Sequence, residues 1–243
     1  MTTIKHALVI ARSELRGDRL NLVWILLWAI IFMGGYMGMM TGSMLNTVLE
    51  DGEVRLAADV MLLTFVPMLG LTFSKRTMKY LSEDTYTRIL AYMRSLPVPI
   101  EVVMCKRKLQ AAGSFILNGI MFFGLVYAVS SNMRQEMPFT DYLAFTLTWV
   151  GYGLTVTGLF IFFELLFSGK LYCIYIFSIM ALVIGLAVLI TFNGGNLFLY
   201  SISVSQEFGL LSPLMWSTLL LGTLSVQLFS KWTIHRLKSR DLV

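Results

Sequence analysis

The side chains that most often carry catalysis are scarce in this sequence. It contains two histidines, His6 and His235, in the charged flanks near the two ends of the chain, and two cysteines, Cys105 and Cys173. A serine protease needs a histidine beside its nucleophile, and a zinc protease of the common kind needs two histidines in an HExxH helix. These residues cannot build either arrangement, so we expect no catalytic centre, no metal site and no bound cofactor in this chain.

Two stretches approach a nucleotide-binding loop without matching it. A P-loop requires Gly-x4-Gly-Lys-Ser/Thr, because its backbone amides surround a phosphate. GLTFSKRT, Gly70–Thr77, has its lysine one place early and lacks the second glycine. SGKL, Ser168–Leu171, has leucine after the lysine and Glu164 in place of the first glycine. We therefore expect that this chain does not hydrolyse ATP by itself.

The composition is typical of a membrane protein. Only 14% of the residues are charged, against roughly 25% in soluble domains, and 57% are hydrophobic. A membrane-spanning helix needs about 20 mostly apolar residues. Suitable runs lie at 22–41, 57–74, 109–130, 142–163, 171–192 and 211–230. We predict an all-α integral membrane protein in which residues 1–243 form one transmembrane domain of six helices.

The distribution of basic residues predicts the orientation. Of the 19 lysines and arginines, only Arg55 and Arg134 lie on one side of the predicted spans. The others lie in the first 21 residues, the 75–108 loop, the loop between the fourth and fifth spans, and the 231–243 tail. The positive-inside rule makes that side cytoplasmic. We expect a multi-pass protein of the plasma membrane with both termini in the cytoplasm, and we read its basic charge as topology rather than as a nucleic-acid site.

Ionisable residues occur at the ends of the predicted spans. Asp59 must lie at the membrane interface or be covered by protein, and Asp141 and Glu164 also lie at span ends. Glu164 has two interpretations, which are plain interfacial placement or a polar contact with a neighbour or partner at the cytoplasmic edge. Ion-coupled transporters usually carry such groups nearer the middle of the bilayer.

The first span contains a repeated small-residue pattern. Gly34, Gly38 and Gly42 form two consecutive GxxxG steps, which align on one helix face and let another helix approach closely. The approaching helix could belong to a second subunit or to the same chain.

Further along the chain, Pro67 predicts a kink in the second span.

The segment before the first span, residues 1–21, has helical periodicity. Ile4, Leu8, Ala11 and Leu15 recur on one face. The pattern favours an amphipathic helix lying along the inner membrane surface. The alternative is a simple positive anchor.

The long 75–108 loop predicts a helix, a corner and a second helix. Ser82 is a good helix cap, and Pro97 ends that helix because the residue before a proline is biased away from helical geometry. Pro99 suits the start of the next helix, which can run through IEVVMCKRKLQ directly into the third span. An apolar corner of this kind would pass a push at the cytoplasmic surface to a transmembrane helix. The alternative is an ordinary loop with a surface helix.

This organisation resembles the permease subunit of an ATP-binding-cassette transporter of the second exporter type, mainly through SLPV, Ser95–Val98. That family has an in-plane elbow helix, six spans and a coupling helix in the first cytoplasmic loop. The chain departs from it at Pro99 and Ile100, where a hydroxyl or basic residue is frequent. The resemblance implies cytoplasmic ATPase subunits that bind ATP and Mg²⁺, and a second permease that is either another copy or a paralogue. The expected ATPase-coupling residues are Arg88, Tyr92, Met93, Arg94, Leu96, Pro97, Val98 and Pro99.

Two other functional classes stay open from the sequence. One is an ion-gradient-driven secondary transporter or small channel, and the other is a membrane scaffold that does not transport. For a transporter, the apolar spans favour a hydrophobic or amphipathic substrate, and export follows from the resemblance alone.

Overall fold

The structure is a computed structural model that describes residues 2–17, 19–52, 54–71 and 98–239. Every regular element in these ranges is helical. In chain order the elements are α1 (Thr2–Gly17), α2 (Arg19–Leu27), a π-helical segment (Trp28–Gly38), α3 (Met39–Asp51), α4 (Arg55–Met68), α5 (Ile100–Val129), α6 (Ser131–Glu136), α7 (Phe139–Leu166), α8 (Gly169–Phe192), α9 (Leu197–Phe208), a 3-10 turn (Gly209–Leu211) and α10 (Pro213–Lys238).

Several of these helices have the length and composition of membrane spans. Within the described ranges, four qualify separately: Leu22–Asp51, α5, α7 and α8, of 30, 30, 28 and 24 residues. A fifth candidate is obtained only when two segments separated by a sharp bend, Leu197–Leu211 and Pro213–Lys238, are counted as one span. The structure therefore has the architecture of a multi-pass membrane protein. Six spans remain a prediction, because the expected second span, 57–74, continues past the described residues.

Helix α4 contains Pro67, the residue at which a kink was predicted. The helix ends one residue later, at Met68. Pro67 has no N–H to donate to the carbonyl of Leu63 one turn earlier. The hydroxyl of Tyr152 on α7 donates to that carbonyl at 2.9 Å. Just past the helix end, the Asn118 amide on α5 donates to the carbonyl of Leu69 at 2.9 Å. Polar side chains of α5 and α7 therefore satisfy backbone groups that the end of α4 leaves without helical partners.

Helix α9 is an element that the apolar runs did not predict. It and the 3-10 turn meet α10 at 87°, so α9 lies nearly perpendicular to the final helix. Ser212 caps α10 by accepting from the N–H of Met215, and Pro213 occupies its first turn. The predicted sixth span, 211–230, corresponds to α10.

Helices α7 and α10 pack closely through glycines. A Cβ added at Gly151 would lie 2.5 Å from backbone carbon of Thr218, and one at Gly222 would lie 2.5 Å from the carbonyl oxygen of Gly151. Ser225 also donates to the carbonyl of Thr155 at 2.8 Å. Small residues at a helix contact allow this approach in a membrane bundle.

The first 21 residues are helical where they are described, as α1 and the start of α2. On α1, Ala7 is fully buried against the rest of the chain, whereas Ile4 and Leu8 are more than half exposed. Ile4 and Leu8 of the predicted apolar stripe thus point away from the protein, which leaves them available to a bilayer. Whether α1 lies in the membrane plane stays a prediction.

Candidate functional site at the charged end of the bundle

The charged end of the bundle is formed by the first turns of α5 and the last turns of α7 and α10. Pro99 is the N-cap residue of α5, with φ −59° and ψ 140°, and its carbonyl accepts from the N–H of Val102 at 2.9 Å. From there α5 is unbroken through its 30 residues, a length of about 45 Å at 1.5 Å per residue. The expected helix after Pro99 is present: it begins at Ile100, with Pro99 as its N-cap, and one continuous helix covers residues 109–129 of the predicted third span.

The predicted coupling residues lie only in part within the described ranges. Val98 is half-buried and Pro99 is exposed at the very start of α5. The other members of the predicted set lie outside the described residues: Arg88, Tyr92, Met93, Arg94, Leu96 and Pro97.

A buried ion pair joins α5 to α7 at this end. The guanidinium of Arg107 donates to Glu164 through Nη2 to Oε2 at 2.7 Å, and through Nε to Oε2 at 3.0 Å and Oε1 at 3.2 Å. The two side chains are 11% and 8% exposed. Sequence reasoning left two interpretations of Glu164, interfacial placement or a polar contact with a neighbour or partner. The structure shows a polar contact, and the partner is in the same chain. No local spacing could reveal Arg107, because 57 residues separate the two.

Apolar side chains surround this ion pair. Met104, Ala111 and Ile161 form a small buried cluster, with Leu165 and Ile234 packed against it. The pair therefore lies in a region of low dielectric, where loss of one partner removes the charge-assisted hydrogen bonds of the other. That loss typically costs about 3–5 kcal/mol.

A second ion pair on the same helix is exposed. Lys238, at the end of α10, contacts Glu101 at 2.6 Å, and their side chains are 58% and 44% exposed. Exposed pairs are usually worth only about 0.2–1 kcal/mol. Helix α5 is thus linked to α10 by a weak, hydrated contact and to α7 by a strong, desolvated one.

Aromatic rings add contacts between α7 and two neighbouring helices, α8 and α10. Phe163 on α7 stacks on Tyr175 of α8 with ring centroids 4.8 Å apart, and Phe162 lies 4.8 Å from Trp232 of α10. These rings position α7 between its two neighbours close to Glu164.

The first-span glycines face α5 of the same chain. A Cβ at Gly34 would lie 3.0 Å from the Leu125 side chain, one at Gly38 would lie 3.0 Å from the Phe122 carbonyl, and one at Gly42 would lie 3.1 Å from Val126. This is the internal-packing alternative. A helix from a second subunit could approach these glycines closely only by displacing α5, and pairing of subunits stays a prediction.

Asp59 lies at the other end of the bundle and is covered by protein, one of the two placements that the sequence allowed. It is fully buried. Its carboxylate accepts from the N–H groups of Leu197 at 3.0 Å and Phe198 at 2.8 Å, the first two of α9. The Asn196 side chain accepts from the third, that of Leu199. Asp59 therefore caps a helix that begins 138 residues later in the chain.

No group of three or more His, Cys, Asp or Glu side chains that could hold a metal ion occurs among the described residues.

The chain matches no protein-family model, no curated protein and no solved structure.

Proposed function

We propose that this chain is the membrane-spanning permease subunit of an ATP-driven exporter and couples to separate cytoplasmic ATPase subunits. The observation that supports the proposal is the construction of α5. This helix begins at an exposed proline corner, continues unbroken for 30 residues, and is anchored to α7 by a buried ion pair near its start.

A helix of this kind is suited to transmit force. Its backbone hydrogen bonds run along the axis, so a displacement at Pro99 moves the whole rod rather than bending a loop. A partner that presses on the corner would therefore shift the helix that continues into the bilayer. In the proposed assembly the partner supplies ATP and Mg²⁺, and its nucleotide-driven closure provides the push.

The charges support the direction of this arrangement. The corner and the ion pair lie on the side that carries most of the lysines and arginines, which the positive-inside rule places in the cytoplasm. A soluble ATPase would meet the chain on that side. A second permease, either another copy or a paralogue, would complete the translocation path in the membrane.

Substitutions at the corner test the proposal. In a double variant, Leu96→Asp with Val98→Asp, we expect normal membrane insertion but at least tenfold less copurifying ATPase, because charge would replace the apolar docking face. Leu211→Asp is the matched control, since Leu211 is 81% exposed and lies in the 3-10 turn before α10. It should retain full ATPase binding. Equal binding by the corner variant and the control would contradict the proposed function.

A further inference from the structure

The position of the Arg107–Glu164 pair relates it directly to the corner. Arg107 lies seven residues into α5, about 11 Å from its start at 1.5 Å per residue. Glu164 lies two residues before the end of α7 at Leu166. Among the described polar contacts between α5 and α7, this pair is therefore the one nearest to Pro99.

The geometry of the pair fixes orientation as well as distance. Two nitrogens of Arg107 engage the Glu164 carboxylate at 2.7–3.2 Å. A bidentate arginine–carboxylate contact is directional, because its parallel hydrogen bonds form only when the two groups approach in one geometry. Net stability does not explain such a pair, because a well-packed apolar pair of similar volume is often as stable or more so.

A second polar contact joins α5 and α7 further along. The Tyr142 hydroxyl on α7 donates to the carbonyl of Phe123 on α5 at 2.6 Å. Phe123 lies 16 residues beyond Arg107, about 24 Å along the helix. Two separated polar contacts fix the orientation of α5 relative to α7 at two points, with the apolar cluster of Met104, Ala111 and Ile161 beside the first. Loss of the ion pair removes the directional constraint at that point and leaves the apolar contact.

We propose that Arg107 and Glu164 are positioning residues that make α7 follow α5 when the corner is displaced, so that both helices respond to ATP. The proposal rests on the proposed function, since it needs an ATPase that moves the corner. Without the pair, α5 would still respond to the ATPase while the adjacent part of α7 would not.

Spin labels at two positions measure this directly. The complex of the chain with its copurified ATPase is placed in phospholipid vesicles, after Cys105 and Cys173 have been replaced by serine. One label is attached at an Ala112→Cys variant on α5 and, in a separate sample, at a Leu159→Cys variant on α7. Both positions lie five residues from the pair, and label mobility is recorded with and without ATP and vanadate.

With the pair intact, we expect ATP to change the mobility of both labels. In Glu164→Gln the α5 label should still respond, and the response of the α7 label should fall at least fivefold. In the apolar variant, Arg107→Met with Glu164→Leu, stability is restored but directionality is not, so the α7 response should stay lost. The exchanged pair, Arg107→Glu with Glu164→Arg, should recover it, and Glu101→Gln should leave both responses unchanged.

An intact α7 response in the folded apolar variant would overturn the proposal while leaving the proposed function in place. Two results would overturn this proposal and the proposed function together. One is a complex with the ion pair intact in which neither label responds to ATP, and the other is a chain that copurifies with no ATPase.

Discussion

Two buried carboxylates at opposite ends of the bundle are stabilised by different kinds of partner. Glu164 is paired with the guanidinium of Arg107, a side chain on another long helix. Asp59 is paired with the backbone amides of Leu197 and Phe198, at the positive end of the α9 dipole. The first contact joins two long helices through their side chains, and in the second a residue of α4 stabilises the start of α9. At the charged end the contact fixes the orientation of α5 relative to α7, whereas at the other end it stabilises the first turn of α9.

The largest expected effect is at the charged end. Glu164→Leu should lower the free energy of unfolding by about 3–5 kcal/mol, because it removes the carboxylate that pairs with the buried Arg107 guanidinium. Thermal unfolding in detergent micelles measures the loss. Adding Arg107→Met should restore most of it. A double variant as unstable as the single one would show that the pair is not an isolated charge contact.

The next effect is at Asp59. Asp59→Leu should leave two buried amides without acceptors, and each such group typically costs about 1–3 kcal/mol. Hydrogen exchange should accelerate specifically at Leu197 and Phe198, since α9 would lose its cap. Asp59→Asn, which keeps one acceptor oxygen, should give a smaller change. Unchanged exchange at both amides would contradict the capping role and remove the contrast with Glu164.

Loss of a hydrogen bond between uncharged groups should destabilise the protein less than loss of either the Glu164 or the Asp59 carboxylate. Tyr152→Phe removes the donor to the Leu63 carbonyl that Pro67 leaves open, with little change in packing. We expect a loss of about 0.5–1.5 kcal/mol in the free energy of unfolding. Tyr175→Phe is a suitable control, because the ring of Tyr175 stacks on Phe163 and the substitution keeps that ring. A larger loss than that of Asp59→Leu would reverse the ranking.

The smallest effect is expected for the exposed pair on α5. Glu101→Gln should change the free energy of unfolding by at most about 1 kcal/mol, because water already solvates both charges. The small effect should shrink further in high salt, whereas the loss in Glu164→Leu should not, since screening acts mainly on exposed charges. A matching salt response for the two variants would mean that the Arg107–Glu164 pair is not desolvated.

The sequence predicted the parts of the fold that local pattern determines. Apolar runs identified α5, α7 and α8, and the proline at 99 identified the start of the long helix α5. The glycine pattern in the first span predicted a close helix contact, although it did not specify α5 as the neighbour. Each of these features depends on residues near one another in the chain.

The features that sequence analysis missed depend on distant residues. The helix α9 is short, and its first two amides are satisfied by Asp59, which lies 138 residues earlier. The partner of Glu164 is Arg107, which lies 57 residues earlier in the chain and on a different helix. Periodicity and composition carry no information about such pairings. The coupling role stays a prediction for the whole expected set: Arg88, Tyr92, Met93, Arg94, Leu96, Pro97, Val98 and Pro99.

The most direct test of the central claim is a gentle-detergent purification of the chain from its native membrane, with copurifying proteins identified by mass spectrometry and ATP hydrolysis measured in the same sample. The account predicts a stoichiometric soluble protein that carries a P-loop, together with ATP hydrolysis that the corner variant abolishes. A chain that is recovered alone or only with copies of itself, in a sample that hydrolyses no ATP, would contradict the account.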